Sequence, residues 1–218
     1  MDDLTLKKDV EAELAWEPSV NAAAIGVAMK DGIVTLTGRV SSLAEKYAAA
    51  RAAVRVVGVK AVVNEIEVGL PLADRRSDEE IARTVVTSLI SHASVPLDRV
   101  KAHVSQGWVT LEGTVEWDYQ REAAERAVRH VRGIKGVINR IIVQPAVTAN
   151  PDVVKAQIEA ALKRSAELDA QRITVETQGS KVILRGRVRS WVERQEAERA
   201  TWAAPGVTEV ENLIIVEP

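Results

Sequence analysis

The sequence contains no cysteine and no phenylalanine. Without cysteine the chain can form no disulfide, no thiolate metal site and no thiol nucleophile, and thiol chemistry gives no indication of its compartment. Because aromatic residues make up only 3% of the chain, its hydrophobic cores have to be built from aliphatic side chains.

The chain also has no large excess of positive or negative side chains. The 29 basic and 31 acidic side chains are interspersed and give a net charge of −2, which disfavours nucleic acid as a partner. No apolar run is long enough for a transmembrane segment, and the first residues lack the basic and apolar regions of a secretory signal. We therefore expect a cytoplasmic protein, with a periplasmic location as the alternative if a signal segment had been removed.

What the sequence does contain is one pattern written three times. In each copy a glycine is followed twenty residues later by a second glycine and six residues after that by an asparagine. These positions are Gly38, Gly58 and Asn64, then Gly113, Gly133 and Asn139, then Gly186, Gly206 and Asn212. Because no catalytic residue recurs with them, the repeat favours a binding protein over an enzyme. We place the three domains at residues 1–70, 77–145 and 149–218, joined by linkers at 70–74 and 144–148.

Each copy predicts the order helix, strand, strand, helix, strand. Apolar residues at helical spacing open the unit, and a turn dipeptide such as Asp31-Gly32 joins two alternating runs. A capping box such as Ser190 to Glu193 then begins a second helix, which ends at the second glycine. Since a strand–helix–strand connection makes its strands parallel, we predict an α+β protein of three tandem αββαβ domains. Each domain has a three-stranded mixed sheet with two helices on one face, and its other face is open.

These residues carry a resemblance to a known family. The stretch from Gly186 through Val188, Trp191 and Glu193, followed by Gly206-Val207 and Val210-Glu-Asn212, resembles the BON family, named after bacterial osmotically inducible and nodulation proteins. The resemblance covers essentially the whole chain as three tandem copies. It implies an αββαβ fold without known catalysis, and roles in envelope integrity and in osmotic or general stress, with binding to phospholipid surfaces proposed.

The repeated glycines and asparagines have structural interpretations. A helix cap and a strand bend account for the glycines, because a residue without Cβ adopts such conformations at little cost. The asparagines alternate with core aliphatic residues on the last strand, so we expect their amides to point inward and to brace nearby backbone.

The open sheet faces supply the first candidate site. Trp108 is one residue out of phase with the core positions Val109 and Leu111, so it should lie on the open face. The same outward phase gives Ile138, Ile142, Leu213 and Ile215 on the last strands of the second and third copies. An apolar sheet face of this kind indicates an interface, either with a protein partner or with another copy of the chain.

The starts of the second helices supply an alternative site. Trp117 and Trp191 lie there, with Arg121 and Arg194 about one turn further on. Such pairs could enter a lipid interface and meet the phosphate of an anionic phospholipid, or the tryptophans could simply pack against their own domains. Trp16 and Trp202 are interpreted as partial core residues.

The sequence contains no pattern of residues that indicates a metal site, a catalytic nucleophile or a nucleotide-binding loop. His92, His103 and His130 all fall in the second copy without the spacing of metal ligands. The sequence also lacks a nucleophile elbow, a P-loop and a dinucleotide fingerprint. We therefore expect no metal, no cofactor and no enzymatic activity.

Overall fold

The computed structural model of the chain describes residues 2–71, 75–147, 150–165 and 169–217. The predicted linkers lie partly outside these residues, at 72–74 and 148, as do the predicted domain bounds at 1, 149 and 218. The first repeat contains α1 Asp3–Trp16, β1 Ile25–Lys30, β2 Ile33–Val40, α2 Leu43–Arg55, β3 Ala61–Asn64 and β4 Glu67–Val68. The second contains α3 Asp78–Ile90, β5 Val100–Ser105, β6 Trp108–Val115, α4 Asp118–Arg129 and β7 Gly136–Val143. The third contains α5 Pro151–Arg164, β8 Ile173–Gln178, β9 Lys181–Val188, α6 Trp191–Trp202 and β10 Glu209–Val216.

Side-chain caps determine where the helices begin. The Ser42 hydroxyl accepts a hydrogen bond from the backbone N–H of Glu45 at 3.2 Å, and Ser190 does the same for Glu193. The Glu45 carboxylate in turn accepts from the backbone N–H of Ser41 at 3.0 Å. These reciprocal bonds satisfy N–H groups that a helix leaves unpaired in its first turn.

Each helix buries one stripe of side chains. The first helix of every repeat buries three aliphatic residues at helical spacing: Leu6, Val10 and Leu14, then Ile81, Val85 and Leu89, then Val154, Ile158 and Leu162. The second helix buries alanines instead, at Ala49 and Ala52 in α2, Ala124 and Ala127 in α4 and Ala197 in α6. Small side chains let a helix axis approach the sheet closely, so the core stays thin but filled.

The strands form three sheets with the same order. In the first, β1 pairs antiparallel with β2 from Ile25↔Gly38 to Lys30↔Ile33, and β3 pairs parallel with β2. In the third, β8 is antiparallel and β10 parallel to the central strand β9. The second has the order β5, β6, β7, with β6 in the centre. The predicted α+β class, with three tandem αββαβ units, is confirmed.

Two details differ from the sequence-based expectations. The last strand of the first repeat is interrupted and forms β3 and β4, whereas β7 and β10 run unbroken for 8 residues each. Trp16 is not a partial core residue, because it is 83% exposed. It lies two positions after Leu14 on α1, about 200° around the helix from the buried stripe.

By its packing the chain divides into two compact units. The first comprises Met1–Ser88, Ala102–Thr110 and Arg126–Ile138, and the second comprises Leu89–Lys101, Leu111–Glu125 and Asn139–Pro218. Within the first unit, residues of α1, α2 and the first sheet form one aliphatic core. Within the second, residues of α5, α6 and the third sheet form another, against which Trp202 is partly buried.

Candidate interaction surfaces

The outward face of the second sheet carries three exposed apolar side chains. Trp108 at the start of β6 is 47% exposed, and Ile138 and Ile142 on β7 are 40% and 64% exposed. Val109 and Ile141, one position out of phase, are buried. This alternation is that of a sheet with one covered face, and it places the three predicted residues on the uncovered face.

Trp108 is held against its neighbouring strand by a glycine. A Cβ built on Gly136 would lie 2.2 Å from the Cζ3 atom of the Trp108 ring, so the ring occupies the space above that glycine. An aromatic ring over a strand glycine fills the gap left by the missing side chain. The indole therefore packs against the neighbouring strand at Gly136, even though about half of it meets solvent.

The outward face of the third sheet is more polar. Leu213 and Ile215 are 40% and 54% exposed, as predicted from their phase, but Ile183 at the centre of the face is buried. Ile183 faces Glu176 on one neighbouring strand and Glu211 on the other. Arg185 pairs with Glu176 at 3.4 Å, and Lys181 pairs with both Glu209 and Glu211 at 2.8 Å.

The ion pairs to Glu209 and Glu211 change the pKa of Lys181. The hydrogen bonds to Glu209 and Glu211 raise the pKa of Lys181 to about 12. A layer of paired charges thus lies across the centre of the third sheet, and the apolar residues Leu213 and Ile215 are confined to its edge strand. The second sheet has the larger exposed apolar surface of the two.

The repeated strand glycines lie where the backbone bends. Gly38, Gly113 and Gly186 have φ of 126°, 137° and 141°. A Cβ there would come within 2.1, 1.9 and 2.0 Å of the carbonyl oxygen of the residue just before the neighbouring strand, Ala24, Arg99 and Arg172 respectively. The second glycine of each repeat, at Gly58, Gly133 and Gly206, follows the second helix with φ of 104°, 91° and 84°. All six adopt the left-handed region that favours glycine.

The repeated asparagines occupy the outer edge of the last strand. The Oδ1 atom of Asn212 accepts a hydrogen bond from the backbone N–H of Ile214 at 3.2 Å, and Nδ2 donates to the carbonyl of Arg194 at 3.3 Å. Asn64 and Asn139 make equivalent bonds, to Ile66 and Lys46 and to Ile141 and Arg121.

This bonding protects the sheet from pairing at its edge. In the third repeat, the backbone N–H of Glu217 donates to the carbonyl of Val188 on the central strand β9. Backbone N–H groups alternate in direction along a strand. Because the N–H of Glu217 points toward β9, the N–H of Ile214 points away from β9, where it would be open to another chain. The asparagine side chain takes up this donor, so one backbone N–H of the exposed edge is not available to another strand.

The candidate lipid residues are engaged in contacts of their own. The guanidinium of Arg194 lies 4.8 Å from the centroid of the Trp191 ring and donates to the carbonyls of Asn212 at 2.7 Å and Ile214 at 3.1 Å. Trp191 itself packs against the third core. A phosphate would have to compete with these bonds.

Arg121 and Trp117 are similarly held. Arg121 lies over the ring of Trp202, 4.7 Å from its centroid, and forms an ion pair with Asp118. Trp117 is half-buried, and its backbone N–H donates to Oε1 of Gln120 at 3.0 Å. The sequence analysis paired Arg121 with Trp117, about one helical turn away, whereas in the structure Arg121 lies over Trp202.

Two carboxylates with clear roles were not anticipated. Asp3 accepts hydrogen bonds from the N–H groups of Asp31 and Gly32, at 2.8 and 3.1 Å, and so fixes the turn of the first hairpin. Asp78 makes the same bonds to Gln106 and Gly107 at 2.7 and 2.9 Å. The signal for this pair was available, since both aspartates lie thirty-five residues before the strand glycine of their repeat.

Asp118 is the third residue that sequence reasoning missed. It begins α4, is only 5% exposed, and faces Arg121 and Glu122 on its own helix and Glu198 on α6. Burial, together with the charges of Glu122 and Glu198, raises the pKa of its carboxyl to about 6 against the opposing effect of Arg121. The equivalent positions in the other copies are Leu43 and Trp191, so its departure from the repeat was the available signal.

Neither a metal site nor a membrane span emerges from the part of the chain that is described. Among residues 2–71, 75–147, 150–165 and 169–217, no three histidine or acidic side chains are grouped so that they could hold a metal ion. Within the same ranges no helix has both the length and the apolar character needed to cross a bilayer.

Two curated proteins are similar to most of this chain. Osmotically-inducible protein Y of Escherichia coli strain K12 is 29% identical over 143 residues, which is 64% of this chain and 71% of that protein. A 21 kDa hemolysin of Actinobacillus pleuropneumoniae is 28% identical over 144 residues, 65% of this chain and 74% of that protein.

A solved structure of CdsD, a structural protein of the type III secretion system of Chlamydia trachomatis, aligns with 98% of this chain and 93% of its own. Its sequence identity is 15% and its TM-score 0.28, so this likeness supports no inference about function.

The expectation of a cytoplasmic location is wrong. It rested on the first residues of the sequence, which carry no weight on this point. Osmotically-inducible protein Y is a periplasmic protein, and the similarity to it points to the periplasm.

The family can be stated from the match along the whole chain. The model of the BON domain matches residues 2–69, 77–145 and 151–218, one match for each αββαβ repeat. The protein belongs to the BON domain family and carries three tandem copies of the domain.

Proposed function

We propose that this protein is a non-enzymatic binding or scaffold protein of the bacterial osmotic or general stress response, and that it acts in the periplasm. Its membership of the BON family and its similarity to Osmotically-inducible protein Y support the link to stress. The partner is another protein or a second copy of the chain, held through the outward face of the second sheet.

The observation that carries this proposal is the exposure of Trp108, Ile138 and Ile142 on one sheet face. Full burial of a large apolar side chain stabilises by roughly 1.5–3 kcal/mol, so covering the exposed part of each contributes roughly 1 kcal/mol. Tryptophan is also among the residue types most enriched among residues that dominate binding energy.

A double variant tests the proposal. Trp108→Glu with Ile142→Lys places two charges on the face without touching the core, so the chain should stay folded. Sedimentation velocity should show that a self-associated species present in the wild-type protein is lost, or affinity capture should show that a bound protein is released. If the double variant keeps both the association state and the bound proteins of the wild type, the sheet face is not the docking surface.

The first repeat provides a matched control. Ile33 occupies the position of Trp108, is 42% exposed, and shares its face with Glu67, which pairs with Arg39 at 3.0 Å. An Ile33→Glu variant therefore adds a charge to a face that is already charged. It should associate as the wild-type protein does.

A second candidate function is peripheral binding to phospholipid through Trp117, Arg121, Trp191 and Arg194. Its support is the placement of two tryptophan and two arginine residues near the starts of α4 and α6, but both guanidinium groups already bind partners within the protein. Flotation with vesicles of phosphatidylglycerol and of phosphatidylcholine separates the two functions. Lipid binding requires flotation with the anionic vesicles that falls with salt and is lost when both tryptophans are replaced by alanine.

A further inference from the structure

A cleft in the first compact unit concentrates positive charge. It has a volume of about 590 Å³, and the lining residues that the structure describes all belong to that unit. Of the charged side chains among them, one, Asp78, is anionic, and four are cationic: Arg39, Arg75, Arg76 and Lys135. The chain as a whole has the opposite balance, with 31 acidic and 29 basic side chains. Because like charges around one cleft repel one another, an anion that enters is attracted by all of the cations.

A cleft of similar volume in the second unit does not share this character. That cleft has a volume of about 560 Å³, and its described lining includes three arginines and four carboxylates. Both volumes are typical of small-molecule sites, so the two clefts differ in charge and not in size. The excess of cations is therefore a local property of the first unit.

Lys135 is held at the edge of the cleft by neutral groups. Its Nζ atom donates to the carbonyl of Gln106 at 2.9 Å, and its Cγ atom lies 3.4 Å from a Cβ built on Gly107. The side chain thus follows the hairpin turn of the second repeat. An ammonium has three donors, and a bond to a carbonyl orients it without neutralising its charge.

The fold does not require a cation at this position. Lys60, Lys135 and Thr208 are equivalent, since each donates its backbone N–H to the hairpin turn of its own repeat. In the third repeat the contact is closed by the hydroxyls of Thr208 and Ser180, at 2.8 Å. Lys60 lies against Gly32 in the first repeat but does not line the cleft. Lys60 is therefore a matched control for Lys135.

Arg39 is positioned by a glycine and carries a weak ion pair. A Cβ built on Gly69 would lie 2.2 Å from the Cδ atom of Arg39, so the arginine side chain occupies the space above that glycine. Its Nη2 atom is 3.0 Å from Oε2 of Glu67, and the two side chains are 71% and 72% exposed. Ion pairs this exposed are weak because water screens them, so an anion of higher charge can compete for the guanidinium.

The segment before α3 supplies the other arginines. Arg75 and Arg76 are both exposed, and Nη1 of Arg76 donates to the carbonyl of Arg75 at 3.0 Å. The charge of Arg76 also acts on Glu80. The one described carboxylate of the lining, Asp78, accepts from two N–H groups of the hairpin turn, at 2.7 and 2.9 Å. We therefore assign ligand contacts to Arg75 and leave Arg76 as a contributor to the field.

We infer that the cleft binds a compact, water-soluble polyanion, a phosphate compound or a polycarboxylate, through Arg39, Arg75 and Lys135. A guanidinium is a planar fork that matches two oxygens of such a group. At least two negative charges are needed, because the ligand has to displace an existing carboxylate from Arg39. Val68 and Leu70, the apolar side chains of the described lining, are half-buried, which suits a soluble ligand better than a lipid. This site is independent of the sheet face proposed to bind protein.

Calorimetric titration of the full chain tests the site. Pyrophosphate and citrate are the probes, and at least one should give saturable binding of one molecule per chain at low salt. Added sodium chloride should weaken this binding, because it screens the charges of the cleft. Acetate at the same ionic strength carries one charge and should give no saturable signal. A response to acetate equal to that of the probes would reduce the effect to screening and overturn the site.

Variants and NMR locate the binding. Arg75→Gln and Lys135→Gln should each weaken it about tenfold or more, since each removes a hydrogen bond between ionised groups. Lys60→Gln should bind as the wild-type protein does. During titration the amide signals of Gly107 and Gly133, which line the cleft, should shift.

Four results would contradict the inference. They are the absence of saturable binding by either probe, full affinity in both cleft variants, a loss in Lys60→Gln as large as that in Lys135→Gln, and amide shifts confined to residues outside the cleft. Flotation with phosphatidylglycerol vesicles identifies the source of the anion. If neither probe binds but flotation occurs and is lost in Lys135→Gln, the cleft holds a lipid headgroup and the soluble ligand is wrong.

Discussion

The carbonyl oxygen of Arg172 lies where a side chain of Gly186 would have to be, 2.0 Å from an ideal Cβ. Gly186 is on β9 and Arg172 ends the turn that leads into the adjacent strand β8, so the contact lies at the bend of the third sheet. Gly38 with Ala24 and Gly113 with Arg99 repeat it in the other copies. This close approach is the physical reason for the first glycine of the repeated pattern.

Gly186→Ala should therefore be strongly destabilising. The new methyl group meets backbone that cannot move aside, and φ of 141° is itself unfavourable for alanine. We expect a loss of roughly 2–4 kcal/mol in the free energy of unfolding, measured with urea. Gly179→Ala in the same repeat is the control, because a Cβ there has nothing within 4 Å and φ is 63°. It should cost about 1 kcal/mol, and equal losses in the two variants would contradict the steric explanation.

Asn212→Ala should destabilise the third repeat and expose a strand edge. The variant leaves the N–H of Ile214 without its acceptor and removes the hydrogen bond from the Asn212 amide to Glu198. We therefore expect a loss of about 1–3 kcal/mol in the free energy of unfolding, measured with urea. Light scattering should show faster aggregation than in the wild-type protein, since a free edge can pair with another chain. Asn212→Asp combined with Glu198→Gln keeps the acceptor at Oδ1 without placing two carboxylates together, and should aggregate less than the alanine variant. Equal aggregation in both would show that the edge is not what asparagine protects.

Gly136→Ala should disturb the proposed docking surface more than the fold. The added Cβ would displace the Trp108 ring, which is free to swing into solvent because it is half exposed. We expect less than about 1 kcal/mol change in stability but a clear loss of association or partner binding. Sedimentation velocity and urea unfolding measure the two effects separately. Association that survives the ring displacement would argue against Trp108 as the anchor of the surface.

Asp118→Asn should change how stability depends on pH. The pKa of Asp118 is raised to about 6 in the folded state, compared with an ordinary value of 3.8, so the native chain binds the proton more tightly than the unfolded chain. Its contribution to stability is therefore complete below pH 3.8 and is lost as pH rises through 6, by up to about 3 kcal/mol. Chemical unfolding at pH 4 and pH 7.5 should show that the variant is more stable than the wild-type protein at the higher pH. If the wild-type protein is the more stable of the two at pH 7.5, the ion pair with Arg121 outweighs the burial of Asp118.

Much of the fold could be predicted because it depends on local patterns that occur three times. The apolar spacing of α1, the turn at Asp31-Gly32 and the capping box at Ser190 each report on interactions within a few residues. The outward phase of Trp108 and Ile142 likewise follows from strand alternation alone. The location did not follow, because the first residues of a sequence are a poor guide to it.

The contacts of single long side chains could not be predicted in the same way. Trp16 was expected in a core and is exposed, while Arg121 lies over Trp202, which is eighty-one residues away in the sequence. Such contacts depend on how elements from distant parts of the chain approach one another, and residue spacing carries no information about that approach.

By itself the sequence determined three αββαβ units, their glycine bends and the side chains on each sheet face, because helix and strand periods are properties of the local backbone. Only the tertiary structure decided that ion pairs cover the centre of the third face, that asparagines protect the last strands, and that Asp118 is buried beside Glu198. The physical reason is that burial and pairing of charges depend on distances between separate elements, and those distances exist only in the packed chain.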